Sequence, residues 1–382
     1  MSEFLIVGGG VIGLLVAREL AAAGAKVMLV EQGSCCRESS WAGGGIVSPL
    51  YPWRYSPAVT ALASHAQQAY PRLAAQLLDE TGIDPELEHS GLLMLDAKDE
   101  EEALLWAATN RKALYPVEPA FIYDQEAALA AGFRKGLWMP DIANIRNPRL
   151  GRALQSSLQS NPLVQIREQT QVLALQTNTD RGRGARRVTH VSVVREGVVE
   201  RLCAEHVIIT AGAWSGGLLA TLNVTLPVVP VKGQMLLFRP PRRLLDTIVL
   251  TDGRYLIPRR DNHLLVGSTL EHTAFDKSTT EEALHGLRRS AEALLPELAE
   301  CRVQRQWAGL RPGAPDGVPF IGRVPGIDNV YVNAGQYRNG LVLAPASAQL
   351  LVDIVLRREP CVDPSPYDPV SRNVVGSNSS LV

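Results

Sequence analysis

"FLIVGGGVIGLLVARELAAAGAKVMLVE", residues 4–31, decides the fold. Phe4–Val7 is the unbroken apolar run that a parallel strand buried on both faces requires. Gly8, Gly10 and Gly13 follow at G-x-G-x-x-G spacing. In such a turn the first glycine permits the tight strand-to-helix connection. The second lets backbone approach a pyrophosphate, and the third lets the helix lie close to the sheet. Ile12, Leu15, Val16 and Leu20 then recur at helical spacing, with Gly24 as a C-terminal cap. The start of that helix, around Val11 and Ile12, offers unpaired N–H groups and a positive dipole end to phosphates. Lys26–Val30 reads as a second strand ending on Glu31. An acid there accepts hydrogen bonds from ribose hydroxyls and repels a 2′-phosphate, which argues against NADP. A lone glycine motif is weak, but here strand, helix, strand and acid stand in register. A dinucleotide site is expected.

The residues alone leave NAD and FAD open. No second G-x-G-x-x-G follows, so this is not a reductase that docks a nicotinamide beside a flavin. "RESSWAGGGIVSP", residues 37–49, is a second polar and glycine-rich tract. Ser39 and Ser40 offer hydroxyls, while Gly43, Gly44 and Gly45 let a flat group lie against bare backbone. A long cofactor stretched across the domain would use both tracts, which tilts the balance toward FAD. A ligand-free surface loop is the alternative.

The chain has 382 residues and a formal net charge of −1, so it can bury a large core and shows no basic excess for nucleic acid. The five cysteines contain no C-x-x-C pair, which suggests neither a metal nor a dithiol centre and fits a reducing cytosol. No run of 18 apolar residues is present; the best candidate, 340–356, is broken by Pro345, Gln349 and Asp353. A soluble protein with no membrane segment is expected.

Helical periodicity covers 59–81, 99–113, Pro148–Ser160 and Glu281–Leu295, with a last helix over 341–358. Strands are expected at Gly91–Leu95, within 163–176, in "AEHVIITAGAWSG" (204–216) and at Val330–Val332. "TDRGRGARR" (179–187) reads as a solvated hairpin tip, and 225–270 as a run of β-hairpins forming a separate antiparallel sheet. The fold class is therefore α/β, a doubly wound, Rossmann-like dinucleotide-binding domain interrupted by a β-rich substrate domain. The expected boundaries are 1–85, 141–220 and 305–365 for the first, 86–140 and 221–304 for the second. Residues 371–382 are expected to be a disordered tail.

Seven segments together are recognisable: "IVGGGVIG", "SSWAGGG", "VIITAGAWS", "PVVPVKGQ", "YLIPR", "WAGLRPGAPDGVPFIG" and "GQYRNGLVLAPA". Their order and spacing resemble those of the D-amino-acid-oxidase superfamily of flavoproteins, from residue 4 to about residue 360. Within it the chain is most similar to the bacterial glycine oxidases, which are associated with making the thiazole of thiamine. The resemblance implies non-covalent FAD held by Val11, Ile12, Glu31, Gln32, Ser39, Ser40 and Gly43–Gly45. It adds the backbone of Val172 at the adenine. Beneath the flavin it places the turn of Gln336, Tyr337, Arg338, Asn339, Gly340 and Leu341. There the last helix would point its positive end at the flavin's N1–C2=O edge. Gln336 stands where a histidine is common in the family.

An amino-acid substrate needs its carboxylate gripped, and arginine's planar fork does this better than lysine. The family pattern gives that role to Arg311, with the Tyr255 hydroxyl as second donor and Arg338 close by. Hydride transfer from Cα of a neutral amine needs orientation and desolvation rather than a general base, so His65, His206 and His263 read as structural. The implied reaction oxidises glycine, and also sarcosine and small D-amino acids, with O2 as electron acceptor and H2O2 as product. A cytoplasmic homotetramer is implied by analogy with relatives. The rival readings are a D-amino-acid dehydrogenase, a sarcosine oxidase and, from another class, a non-catalytic NAD-binding regulator.

Overall fold

The computed structural model describes residues 2–179 and 186–372. Its first sheet has the strand order Phe320–Arg323, Val330–Ala334, Ala204–Ile209, Ser2–Val7, Val27–Val30, Val164–Arg167. All neighbours run parallel except the outermost pair, Phe320–Arg323 with Val330–Ala334. Ser2–Val7 is an interior strand, and the chain leaves it through Gly8 directly into helix Val11–Ala22. Two of the motif glycines are sterically forced. Gly8 has φ +111°, and a Cβ on it would lie 2.6 Å from the Thr210 carbonyl oxygen. A Cβ on Gly13 would lie 2.0 Å from the Gly8 carbonyl oxygen, so helix and turn touch backbone to backbone.

The second sheet has eight strands, in the order Val303–Gly313, Val229–Phe238, Leu264–Gly267, Arg254–Pro258, Ile248–Thr251, Leu92–Leu95, Gly136–Met139, Tyr115–Val117. It is antiparallel apart from the pairing of Ile248–Thr251 with Leu92–Leu95. Alternation sorts its two faces. Leu236, Val266 and Leu256 pack with Leu287 and Ala291 of helix Glu281–Leu294. Met235, Leu265, Tyr255 and Ile257 belong to the opposite face, which packs with Ile46 of the glycine-rich tract. A third, three-stranded sheet holds Thr170–Thr179, Arg186–Arg195 and Val198–Leu202. The stretch read as strands over 163–176 is thus divided between two sheets, the chain turning at Gln169 with φ +53°.

The strand pairing bears on one expected boundary. The sequence reading assigns 305 onward to the first domain, whereas Val303–Gly313 pairs with Val229–Phe238 along almost its whole length. That ladder pairs its inward-facing backbone donors and acceptors within the second sheet. We propose the same two-part division with Val303–Gly313 moved to the β-rich part. The tip of the hairpin at 180–185 and the tail at 373–382 lie outside the described residues.

The last helix, Gly340–Leu356, begins one residue earlier than expected and packs between Val11–Ala22 and Pro57–Thr81. Together with the preceding turn, Tyr337–Leu356 is long and apolar enough to cross a membrane, but most of it is buried in this core. Pro345 lies inside it, so the Leu341 carbonyl has no N–H four residues on to accept from. The Tyr70 hydroxyl, on helix Pro57–Thr81, donates to that carbonyl at 2.5 Å. Burial pushes the phenol well above its usual range, so it stays a donor. A side chain thereby completes the helix's first turn. Tyr70→Phe would leave a buried carbonyl unpaired, and chemical denaturation should show a loss of about 1–3 kcal/mol. Wild-type stability would contradict the assignment.

Candidate active site

Between the first two sheets lies a cavity of about 2200 Å³. Small-molecule sites usually measure about 300–1,000 Å³, so this one has room for an extended cofactor together with a substrate. Around the glycine turn it is lined by Gly8, Gly10, Val11, Ile12, Glu31 and Gln32, with Val172 from the third sheet. Ser39, Ser40 and Gly43–Gly45 form a further wall. Tyr255, Arg311, Gln336, Tyr337, Arg338, Gly340 and Leu341 complete it. Two residues expected at the cofactor do not line the cavity. Gly13 serves packing, as described above, and Asn339 is buried under the turn, its Nδ2 without a hydrogen-bond partner.

Glu31 does more than face the cavity. Its carboxylate accepts from Gly9 N at 2.7 Å and Gly33 N at 2.8 Å, clamping the glycine turn. Burial raises its pKa, against the pull of those two N–H groups and with help from Glu38 and Glu168. Ser40 Oγ accepts from Val11 N at 2.9 Å, at the helix start. Ser39 Oγ donates to the Leu310 carbonyl at 2.8 Å, one residue before Arg311. The short helix Ser39–Ala42 therefore joins the cofactor turn to the strand that carries the expected anchor.

The glycine-rich wall has a partner that the sequence reading missed. Arg259, buried, donates from Nη2 to the Gly44 carbonyl at 2.6 Å and from Nη1 to Asn144 Oδ1 at 2.6 Å and the Ile145 carbonyl at 3.2 Å. Burial, reinforced by Arg146, brings its pKa down to about 10. Gly44 itself abuts Tyr255, whose ring would lie 3.0 Å from a Cβ there. Bare backbone at Gly44 thus admits Tyr255 to the cavity wall.

Arg311 Nη1 donates to the carbonyls of Lys232 (3.3 Å) and Thr269 (3.2 Å), and Nη2 donates to Ser268 Oγ (2.7 Å). All three partners are neutral. Burial depresses its pKa, the neighbouring charge of Arg338 acts the same way, and the Tyr255 phenol opposes. A half-buried cation whose hydrogen-bond partners are all neutral is suited to receive an anion. Room for the guanidinium comes from Gly233, where a Cβ would lie 2.2 Å from Nη2. Tyr255 is treated alike. It pairs across the sheet with Gly267, which pairs with Met235, so the phenol reaches over Gly267 to donate to Met235 Sδ at 3.3 Å. Isolated glycines in "VKGQ" and "VGST" were the available signal, since glycine inside a strand marks a close approach. Arg338 is exposed, its guanidinium 5.5 Å from the centroid of the Tyr337 ring. Gln336 Nε2 donates to Asn333 Oδ1 at 2.6 Å, which ties the turn to strand Val330–Ala334.

A family profile described as FAD dependent oxidoreductase matches residues 3–354. The chain belongs to this FAD-dependent oxidoreductase family. It is 53% identical to a protein named glycine oxidase from Pseudomonas aeruginosa, over 97% of this chain and 100% of that one. It is 29% identical to a bifunctional protein ThiO/ThiG of Trichormus variabilis, covering 94% of this chain and 53% of that protein. The crystal structure of glycine oxidase from Geobacillus kaustophilus superposes with a TM-score of 0.87 at 29% identity, covering 96% of this chain and 98% of that one.

FAD is the cofactor of this FAD-dependent oxidoreductase, and the residues present fit it. The cavity begins at a helix N-terminus and a glycine turn suited to a pyrophosphate, and Glu31 retains acceptor capacity for ribose hydroxyls. Gly340, Leu341 and Val342 put the positive end of the last helix on the same cavity. Glu31→Gln should weaken FAD binding to the apoprotein by about tenfold, the equivalent of ~1.4 kcal/mol. The same change should lower the apoprotein melting temperature, because a glutamine can accept only one of the Gly9 and Gly33 N–H groups and sets its NH2 against the other. Unchanged FAD affinity, measured by quenching of flavin fluorescence, would remove Glu31 from the cofactor site.

Proposed function

We propose that this protein oxidatively deaminates glycine, converting glycine, O2 and water to glyoxylate, ammonia and H2O2. The supporting observation is Arg311, a half-buried cation with neutral hydrogen-bond partners on the wall of the cofactor cavity, with Tyr255 beside it. The names of the relatives at 53% and 52% identity point to the same substrate. Sarcosine and small D-amino acids are further substrates in this reading. The ThiO/ThiG relatives support supply of a product to thiamine thiazole formation.

Arginine has five N–H donors, of which three are used behind the guanidinium, leaving two for a bidentate carboxylate. The Tyr255 hydroxyl turns from Met235 Sδ toward the same carboxylate, and Arg338 adds positive charge at the cavity. FAD, when bound there, would supply the two-electron acceptor, with O2 as the final oxidant. The protein's part is to fix Cα, exclude water and bind the amine in its neutral form. The imine released is hydrolysed by water. Oxygen is the only partner required besides the amino acid. A cytoplasmic homotetramer belongs to this reading by analogy.

Anaerobic glycine should bleach the yellow protein, and aerated turnover should release peroxide. Bleaching without peroxide would indicate a dehydrogenase, and a kcat/KM favouring sarcosine over glycine would indicate a sarcosine oxidase. Arg311→Ala should lower kcat/KM for glycine by about 2–5 kcal/mol, as for truncating one member of a buried charge pair. An unchanged value would remove Arg311 as the anchor.

A further inference from the structure

Lys232 is 2% exposed, and neither cofactor nor substrate binding, as described above, uses its ammonium. The Nζ donates to Asp276 Oδ2 at 2.9 Å and to the Ser278 carbonyl at 3.2 Å, and pairs with Glu271 Oε2 at 3.3 Å. All three partners lie in the segment 268–280, which links strand Leu264–Gly267 to helix Glu281–Leu294. The Lys232 backbone binds the same segment, its N–H donating to Glu271 O at 2.9 Å and its carbonyl accepting from Glu271 N at 3.0 Å. Thr269 Oγ1 donates to Glu271 Oε1 at 2.5 Å and accepts from Gln234 N at 2.9 Å, so the start of the segment is held by the same carboxylate.

That start supplies two of the three groups behind Arg311, the Ser268 hydroxyl and the Thr269 carbonyl, and the third is the Lys232 carbonyl. The Lys232 ammonium is thus linked through Glu271 to Thr269, and its own carbonyl is the third support of the guanidinium. Removing its charge would leave Glu271 and Asp276 facing each other without the cation between them, and like charges would spread the segment. We infer that Lys232 is a positioning residue for substrate: through Glu271 and Asp276 it sets the segment that aims Arg311 at the carboxylate. This rests on the reading of Arg311 as the carboxylate anchor.

The test uses the full chain loaded with FAD and acetate, a carboxylate with no amine to oxidise, followed by its perturbation of the flavin spectrum. Lys232→Met should raise the acetate Kd and the glycine KM together by about tenfold to a hundredfold, as a small misplacement of a binding group does. FAD affinity should stay at the wild-type value. Asp276→Asn, a change at an exposed partner, should move both constants the same way by less, and carries the test if Lys232→Met does not fold. Lys232→Arg, which keeps the cation, should restore part of the loss. Wild-type acetate Kd in Lys232→Met or, failing that protein, in Asp276→Asn would overturn the inference, whatever the melting temperatures do. If Arg311→Ala binds acetate like wild type, the anchor reading fails and the inference with it. A weakened Arg311→Ala beside an unaffected Lys232→Met would sink the inference alone.

Discussion

A guanidinium partly withdrawn from water favours an anion beside it, and the hydrogen-bond partners of Arg311 are all neutral. The surrounding wall holds that charge in place without pairing it to a carboxylate. Two carbonyls and a hydroxyl hold it from behind, which limits its rotamer freedom without neutralising it. Gly233 and Gly267 remove the side chains that would otherwise fill the space over the strands. Arg311 and Tyr255 can then lie along the sheet rather than project from it. The sheet acts as a rigid plate on which two donors are set in fixed relation.

A second constraint concerns the cofactor side. The last helix must begin at the cavity, where its positive end is useful, and still pack as the central apolar helix of the first domain. Pro345 inside that helix frees the Leu341 carbonyl, and Tyr70 satisfies it from the neighbouring helix. The helix start is thereby held by a side chain from another element instead of by its own ladder.

Substrate and cofactor walls come from different sheets, so the fold needs ties between them. Ser39 reaches the Leu310 carbonyl beside Arg311, and Arg259 reaches the Gly44 carbonyl from the strand end beyond Tyr255. Each tie joins a side chain of one wall to backbone of the other. Backbone partners make these ties insensitive to side-chain identity on the receiving wall, while fixing the distance between the two.

Local pattern determined the elements. Apolar runs, the glycine spacing and Glu31 at a strand end are short-range signals, and the strand–turn–helix–strand unit forms where they predict it. The expected cavity residues also gather, apart from Gly13 and Asn339, because motif positions fix where backbone must approach a ligand. What the sequence alone did not contain was pairing at long range. Strand Val303–Gly313 joins the second sheet because its ladder with Val229–Phe238 runs almost the whole length of both strands. Arg259, Lys232 and Ser268 gain their roles only when strands distant in sequence are laid side by side. One arginine or lysine among 38 looks like a solvated charge until its burial and partners are known. Tertiary structure decided which of those charges line the cavity, because position and hydrogen-bond partners, not residue type, set what a cation can bind.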